Sequence, residues 1–331
     1  MSRSVTGEGN CAGDEIPGAG WLVALALALA TLGCRSGGDA DAAPVGREAA
    51  SAAAIVTPSS PAEPAIFRWS PDPVPEGVVF AITVEGGDPA VVSATGEFEG
   101  EPLHFSATGT GVLSALAAAP LDSIGARALD LVITHADGST DSRRLEVTID
   151  RGEYPLQRLN VAPEYTTYPP DIQQRIDAEW ERAMAVSRRS HETPRMWEPP
   201  FALPRDSRVT SGFGNGRIFN GVVQSRHTGV DFAGGVGEPI TSPARGVVAL
   251  ADTFYLGGRV LYIDHGEGLV TGYLHLSAHE VAEGDVVERG QLIARVGATG
   301  RVTGPHLHFI VRYGQHAVDP FSVMELFDAM R

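Results

Sequence analysis

Three short polar motifs, spread over about 80 residues, constrain the last third of this 331-residue chain more than any other feature. His227-Thr-Gly-Val-Asp231 comes first, His275 within Tyr273-Leu-His-Leu276 second, and His306-Leu-His308 third. Each motif alone has an ordinary explanation; the three together, in this order, demand a fold that gathers distant segments. Two histidines and one aspartate at these spacings match a three-ligand zinc site, and two histidines are left over for acid–base work. Three protein ligands and an open fourth position are the catalytic arrangement for zinc.

The local patterns are consistent with such a site. In a strand, residues i and i+2 share a face and lie roughly 6.5–7 Å apart. His306 and His308 then project into one cleft, while Leu307, Phe309 and Val311 take the opposite, core face. His227 and Asp231 are separated by a glycine-containing segment, and Gly229 lets that segment bend. His275 sits between apolar residues.

Composition removes several alternatives. The chain has no lysine, which excludes Schiff-base chemistry, P-loop lysines and lysine-linked cofactors. A hairpin-like run from Val281 to Gly297 suggests a biotinyl or lipoyl carrier, but that function needs the missing lysine. The formal charge is −16, with 14 Arg against 28 Asp and Glu in residues 1–200 and 11 against 13 thereafter. An acidic chain with no basic stripe argues against nucleic acid as a partner. The two cysteines, Cys11 and Cys34, both precede the folded part. Any metal in the folded part must therefore be held by His, Asp or Glu.

The domain pattern is mainly β. Trp21 to Leu32 is an unbroken apolar run of 12 residues, too short to cross a hydrocarbon core roughly 30 Å thick. It reads as a signal-peptide core, so residues 1–34 are expected to direct export. Thr31-Leu-Gly-Cys34 resembles the lipobox of bacterial lipoproteins, which makes Cys34 the expected lipidation site; Thr31 departs from the aliphatic residue preferred there. Residues 35–64, rich in Ala, Gly, Ser, Asp and Pro, read as a flexible linker. Residues 65–165 read as a small β-sandwich, with strand-like runs at 78–84, 129–134 and 145–149 and a hairpin turn at Ala136-Asp-Gly138. His104 and His135, within it, read as surface strand residues.

A linking helix is predicted within 166–195, with Asp171 as N-cap and Ile172, Ile176, Trp180 and Met184 as its apolar stripe. Arg188, Arg189 and His191 read as its solvated end. Residues 196–331 read as an all-β domain able to fold and act unaided, with strands at 246–250, 260–263 and 292–296. His265, His279 and His316 read as turn or surface residues.

Segment 201–320 resembles the lysostaphin-type zinc endopeptidases of bacterial cell walls, also called LytM-like. Ser211-Gly-Phe-Gly214 is similar to the opening signature of that family, and His227-Thr-Gly-Val-Asp-Phe232 to its first metal motif. Tyr273-Leu-His-Leu-Ser277 is similar to its catalytic-histidine motif. Gly297-Ala-Thr-Gly300, Gly304-Pro-His-Leu-His-Phe309 and Val318-Asp-Pro320 complete the likeness. Gln157-Arg-Leu-Asn-Val161 and the helix after it resemble the accessory region of diderm members.

The resemblance implies that His227, Asp231 and His308 bind one Zn2+ per chain. It implies that His275 and His306 are catalytic, one taking a water proton and one stabilising the oxyanion, in either order. The implied activity is hydrolysis of peptide cross-links in peptidoglycan, with D-alanyl–diaminopimelate bonds favoured by the lipobox and the accessory region. The implied location is the periplasmic side of the envelope, with the membrane reached through a lipid anchor. The alternative is a catalytically silent LytM-like module that activates a cell-wall amidase. Such relatives typically lose ligands, and none of the five residues is substituted here.

Overall fold

The alternating runs of residues 65–150 build two sheets in the computed structural model, which describes residues 64–159, 168–219 and 222–330. The expected signal segment, Cys34 and nearly all of the expected linker lie outside the described residues. One sheet orders the strands Ala65–Ser70, Val79–Gly86, Val112–Ala118 and Ser106–Gly109. The other orders Val74–Pro75, Thr140–Asp150, Gly125–His135, Val91–Phe98 and Glu101–His104. Residues from both sheets share one buried cluster, with Phe80 edge-on to Phe98 at 5.5 Å. This layered packing is what period-two strands with one apolar face require. The hairpin turn at residues 136–138 is present, with Gly138 at φ +84°.

The two sandwich histidines are not surface residues. His135 is buried, its Nδ1 2.7 Å from the Pro89 carbonyl and its Nε2 3.3 Å from Asp141. His104 is half-buried, with Nε2 2.9 Å from Nδ1 of His191. His191 is correspondingly not part of a solvated helix end, because its Nε2 meets the buried Glu101 carboxylate at 2.8 Å. Sequence patterning failed for His104 and His191 because the sandwich packs against the segment after α1, where polar groups need partners, and for His135 because the Pro89 loop covers it.

The linking helix α1 spans Pro170–Arg189. It starts two residues earlier than expected: Pro169 is the N-cap, Pro170 opens the first turn, and Asp171 lies inside it. Asp171 therefore complements the helix dipole and makes no capping bond. The buried face is also rotated. Ala183, Met184 and Val186 pack with Phe254, Val260, Tyr262 and Val270, while Trp180 is 53% exposed. Glu179 is buried in its place, accepting from the Tyr255 backbone N–H at 2.6 Å and from Arg175 Nε at 2.7 Å. Trp180 lies instead under the Arg312 guanidinium, 4.9 Å from the ring centre.

Beyond α1 a larger sheet carries Val209–Ser211, Val230–Ala233, His306–Tyr313, Leu269–Leu276, Gly258–Gly266, Gly246–Phe254 and Val286–Val287 in that order. Leu156–Leu159, upstream of α1, pairs in parallel with Gly216–Phe219. The all-β expectation missed a second helix, α2 (Pro320–Ala329), although its start signal is visible. Asp319 caps it by accepting from Phe321 N–H at 3.0 Å, and Pro320 opens the first turn. Phe327 of α2 stacks on Trp197 at 4.5 Å in a cluster that also contains Val79, Leu116 and Ala118 of the sandwich. The sandwich and the C-terminal region thus share one core.

His265 is fully buried on the strand Gly258–Gly266, not in a turn. Its Nδ1 donates to the Arg245 carbonyl and its Nε2 accepts from Thr271, both at 2.8 Å. The turn lies one step later, at Glu267 and Gly268, both with positive φ. His316 is half-buried, 2.8 Å from the Glu99 carbonyl, and His279 is half-buried as well.

Burial pushes the His265 imidazole down to about 4 from an ordinary value of 6.5. A neutral buried imidazole contributes its full stability above the unfolded-state pKa, and that contribution disappears as pH falls through the folded-state pKa. Stability against thermal unfolding is therefore expected to fall between pH 6.5 and 4, by about 3 kcal/mol from this group. A His265→Gln variant should show a visibly flatter dependence over the same range. Equal pH slopes in the two proteins would remove His265 as the cause.

Candidate metal centre and cleft

The site is built on the strand His306–Tyr313, which lies between Val230–Ala233 and Leu269–Leu276. Antiparallel pairing sets Asp231 opposite His308 on one side and Leu274 opposite His308 on the other. Residues directly opposite one another project to the same face. Asp231, His306 and His308 therefore share a face, while Val230, Phe232, Leu307, Phe309 and Val311 are buried beneath. The expected strand alternation at His306-Leu-His308 is present.

His227 enters from the end of the strand Val222–Arg226. Backbone bonds to Asn215 and Gly214, both 2.8 Å, hold it in place. Its Nδ1 donates to the Gly212 carbonyl at 2.7 Å, with the Ser211 hydroxyl at 3.3 Å, so Nε2 faces the centre. The Ser211-Gly-Phe-Gly214 signature thus orients a histidine and also supplies Phe213 to the core. Gly229 is required for a further reason: a Cβ there would overlap the Phe309 carbonyl and approach His308.

Three donor atoms converge. His227 Nε2 lies 3.1 Å from Asp231 Oδ1 and 3.0 Å from His308 Nδ1, and the latter lies 2.8 Å from Asp231 Oδ1. Donors at about 2.0–2.1 Å from a tetrahedral zinc stand about 3.3 Å apart, so these three atoms need move only tenths of an ångström. Two imidazoles and a carboxylate are also the donor chemistry that suits zinc. Among the described residues this is the one cluster of three such side chains with metal-compatible separations. Burial would raise the Asp231 carboxyl, but its close contacts with His227 and His308 hold it well below the usual carboxylate range. Burial pushes His308 down.

His275 and His306 stand beside this triangle. Their ring centres are 4.9 Å apart, and His306 Nε2 is 3.7 Å from Asp231 Oδ1. His306 Nδ1 donates to the Gly304 carbonyl at 2.9 Å, and His275 Nδ1 to the Thr299 carbonyl at 3.0 Å. A histidine whose Nδ1 is tied to a carbonyl offers Nε2 for chemistry. Burial, reinforced by the neighbouring His308, pushes His275 down to about 4, which keeps it neutral at pH 7. His275 also adopts φ +67°, a left-handed backbone that costs a non-glycine residue about 1–3 kcal/mol. Such strain accumulates where a side chain must be aimed.

All five side chains expected from the sequence therefore come together in one cleft. The sequence offered no spacing rule for the cleft rim. Tyr255 and Tyr168 meet edge-on at 6.3 Å, and the Arg301 guanidinium lies 5.7 Å from the Tyr168 ring centre and contacts its hydroxyl. Arg301 follows Thr299 by two residues, which brings this rim close to His275.

Residues 225–320 match the model of Peptidase family M23. The chain is 43% identical over 114 residues to peptidoglycan DD-endopeptidase ShyB of Vibrio cholerae, covering 34% of this chain and 26% of that protein. It is 43% identical over 97 residues to DD-carboxypeptidase/endopeptidase Mpg of Neisseria meningitidis, covering 29% of this chain and 22% of that protein. The matched stretch thus spans about a quarter of the curated relatives' length. A crystal structure of a candidate peptidase M23 from Pseudomonas aeruginosa superposes with a TM-score of 0.57 and 28% identity. That likeness covers 77% of this chain and 96% of that one, so it includes much more than the metal cluster.

Proposed function

Residues 225–320 form a Peptidase family M23 domain of the lysostaphin (LytM-like) type, and from that premise we propose that this chain is a zinc-dependent endopeptidase acting on peptidoglycan cross-links. The observation that carries the proposal is the meeting of His227, Asp231 and His308 donor atoms within 3.1 Å of one another, with His275 and His306 alongside. The names of the V. cholerae and N. meningitidis relatives support the substrate class.

In this reading His227 Nε2, Asp231 Oδ1 and His308 Nδ1 hold one zinc ion. Zinc bound there supplies Lewis acidity, polarising a carbonyl and acidifying a water. His275 is kept neutral by burial and presents a bare Nε2, which suits it to accept a proton from an attacking water. His306 presents Nε2 on the same side, where in its protonated form it would donate to the developing oxyanion, and the proton taken up by His275 would pass to the leaving amine. Leu307 and Phe309 lie beneath the histidine-bearing strand and keep bulk water off its underside. The favoured bond is D-alanyl–diaminopimelate.

Purified sacculi incubated with the zinc-loaded protein should release uncross-linked muropeptides, as read by mass analysis of the fragments. A protein that binds sacculi and releases nothing would instead be the silent amidase-activating module. Asp231→Ala is expected to remove most bound zinc and all hydrolysis, because two imidazoles alone leave a metal site one ligand short. Full zinc content with full activity in that variant would overturn the ligand set. His275→Ala and His306→Ala should each keep zinc near one equivalent, read by metal analysis, and lose a rate factor on the order of 10² or more. Loss of zinc in either would mean that the His306–His308 pair is misassigned.

Location is a proposal from the sequence: export, cleavage before Cys34, and lipid anchoring on the periplasmic side of the envelope. One acyl chain binds membranes only marginally, so stable anchoring needs more than one. Cys34→Ser is expected to move the protein from the membrane fraction to the soluble exported fraction. A wild-type protein already soluble after export would show that the lipobox-like run is a coincidence.

A further inference from the structure

We infer that Thr299 is a positioning residue for His275, holding that imidazole in the tautomer and direction the reaction uses; the functional half of this inference rests on the peptidase reading above. Thr299 makes four connections, the first a backbone one, its N–H donating to the His275 carbonyl at 3.4 Å. Its carbonyl accepts from His275 Nδ1 at 3.0 Å. Its hydroxyl donates to the carbonyl of Leu276, the residue after His275, at 2.8 Å. The same hydroxyl accepts from the Arg259 backbone N–H at 2.9 Å. One side chain thus joins the end of Leu269–Leu276 to the start of Gly258–Gly266, and one carbonyl fixes the ring between them.

The surrounding backbone leaves little freedom for any other arrangement. A Cβ on Gly297 would overlap the His275 carbonyl and the Ser277 nitrogen. A Cβ on Gly258 would overlap Thr299 itself, and one on Gly300 would overlap the Gly258 nitrogen and the Leu256 carbonyl. Residues 256–259, 275–277 and 297–301 are therefore in direct backbone contact, with the Thr299 hydroxyl bonded within that contact. His275 is the residue in this knot that carries a left-handed non-glycine backbone, and its own N–H donates to the Gly257 carbonyl at 2.9 Å.

The chemical consequence follows from which nitrogen carries the proton. An imidazole donating from Nδ1 has a bare Nε2, and the partner of one nitrogen decides the state of the other. The Thr299 carbonyl selects the Nδ1–H form, and the hydroxyl keeps that carbonyl and the left-handed turn in register. Without the hydroxyl the carbonyl loses its ties to Leu276 and Arg259 and is held by backbone contacts alone, so small shifts of it become easier. The ring then loses its bias toward Nδ1–H and its aim into the cleft. A shift of about 1 Å in a positioned group costs on the order of 10²-fold in rate. If the hydroxyl merely tied two strands together, its loss would lower melting temperature and leave the tautomer and turnover of the folded protein unchanged.

The test compares wild type, Thr299→Val and Thr299→Ser as full-length proteins. Valine matches threonine in shape and lacks the hydroxyl; serine keeps it. Long-range 1H–15N correlation spectra of the metal-free proteins read the His275 tautomer, with His275→Gln used to assign the signal. Turnover and KM of the zinc-loaded proteins are read on soluble cross-linked muropeptides. Wild type and Thr299→Ser should both show the Nδ1–H form and turn over within about threefold of each other. Thr299→Val should show mixed tautomers and lose about 10- to 100-fold in kcat, with KM and zinc content within about twofold. A Thr299→Val protein that keeps wild-type kcat, or a single Nδ1–H form, overturns the inference. So does an Nε2–H form in wild type, a result that stands even if the valine variant does not fold. If wild type cleaves no wall substrate, the peptidase reading has failed, and the tautomer spectra still decide the role of Thr299.

Discussion

The pairing of the strand His306–Tyr313 with both of its neighbours is the interaction on which the site depends. One neighbour carries Asp231 opposite His308, and the other carries His275 one residue before its end. A slip of one residue in either pairing would turn the polar face inward and bring Leu307 and Phe309 to the surface. The apolar layer beneath the strand prevents that slip, because Leu307, Phe309 and Val311 are all fully buried. Hydrophobic packing below and donor convergence above are thus two faces of one register. The metal-compatible geometry is a by-product of strand pairing and needs no loop to close over it.

Electrostatics on the polar face follow from the same placement. Burial beside an ionised Asp231 favours the neutral form of His275 and of His308. Asp231 stays ionised through its short contacts with His227 and His308, and His308 and His275 lose basicity because they are desolvated. Neutral imidazoles and an ionised carboxylate are the protonation states that metal ligation and proton acceptance both require. The four histidines nonetheless differ in how their second nitrogens are held. His227, His275 and His306 each place Nδ1 against a backbone carbonyl, whereas His308 turns Nδ1 toward the cluster.

The five cleft residues and the strand bearing His306 and His308 were legible in the sequence because they obey short-range rules. Alternation places the histidines, and a motif names the aspartate. The histidines that were misjudged fail for a physical reason. His104, His135, His191 and His265 sit in polar-rich or turn-like local sequence, and only tertiary packing buries them. Each has a partner 20 to 90 residues away, which a local window cannot register. The α1 stripe shifted for a similar reason. Glu179 replaced Trp180 on the buried side because an N–H at Tyr255 had to be satisfied, a demand set by a distant strand. By contrast α2 was announced by Asp319-Pro320, and the signal went unread because the surrounding composition is so strongly β.

The sandwich is more than a spacer in physical terms, since its residues complete the core beneath the cleft. Val79, Leu116 and Ala118 pack in the same cluster as Phe232, Phe309 and Phe327, and Phe309 neighbours His308 in the sequence. Polar ties run in parallel: Asp319 N–H donates to the Gly77 carbonyl at 2.7 Å, and Gln315 N–H to Glu101 at 2.9 Å. A shared close-packed core transmits volume changes poorly as local events and readily as shifts of whole strands. Any rearrangement of the sandwich must then act on α2 and on the strand His306–Tyr313 that α2 helps to support. The accessory region and the cleft are for that reason one mechanical unit, joined by packing even though the chemistry lies entirely on one side.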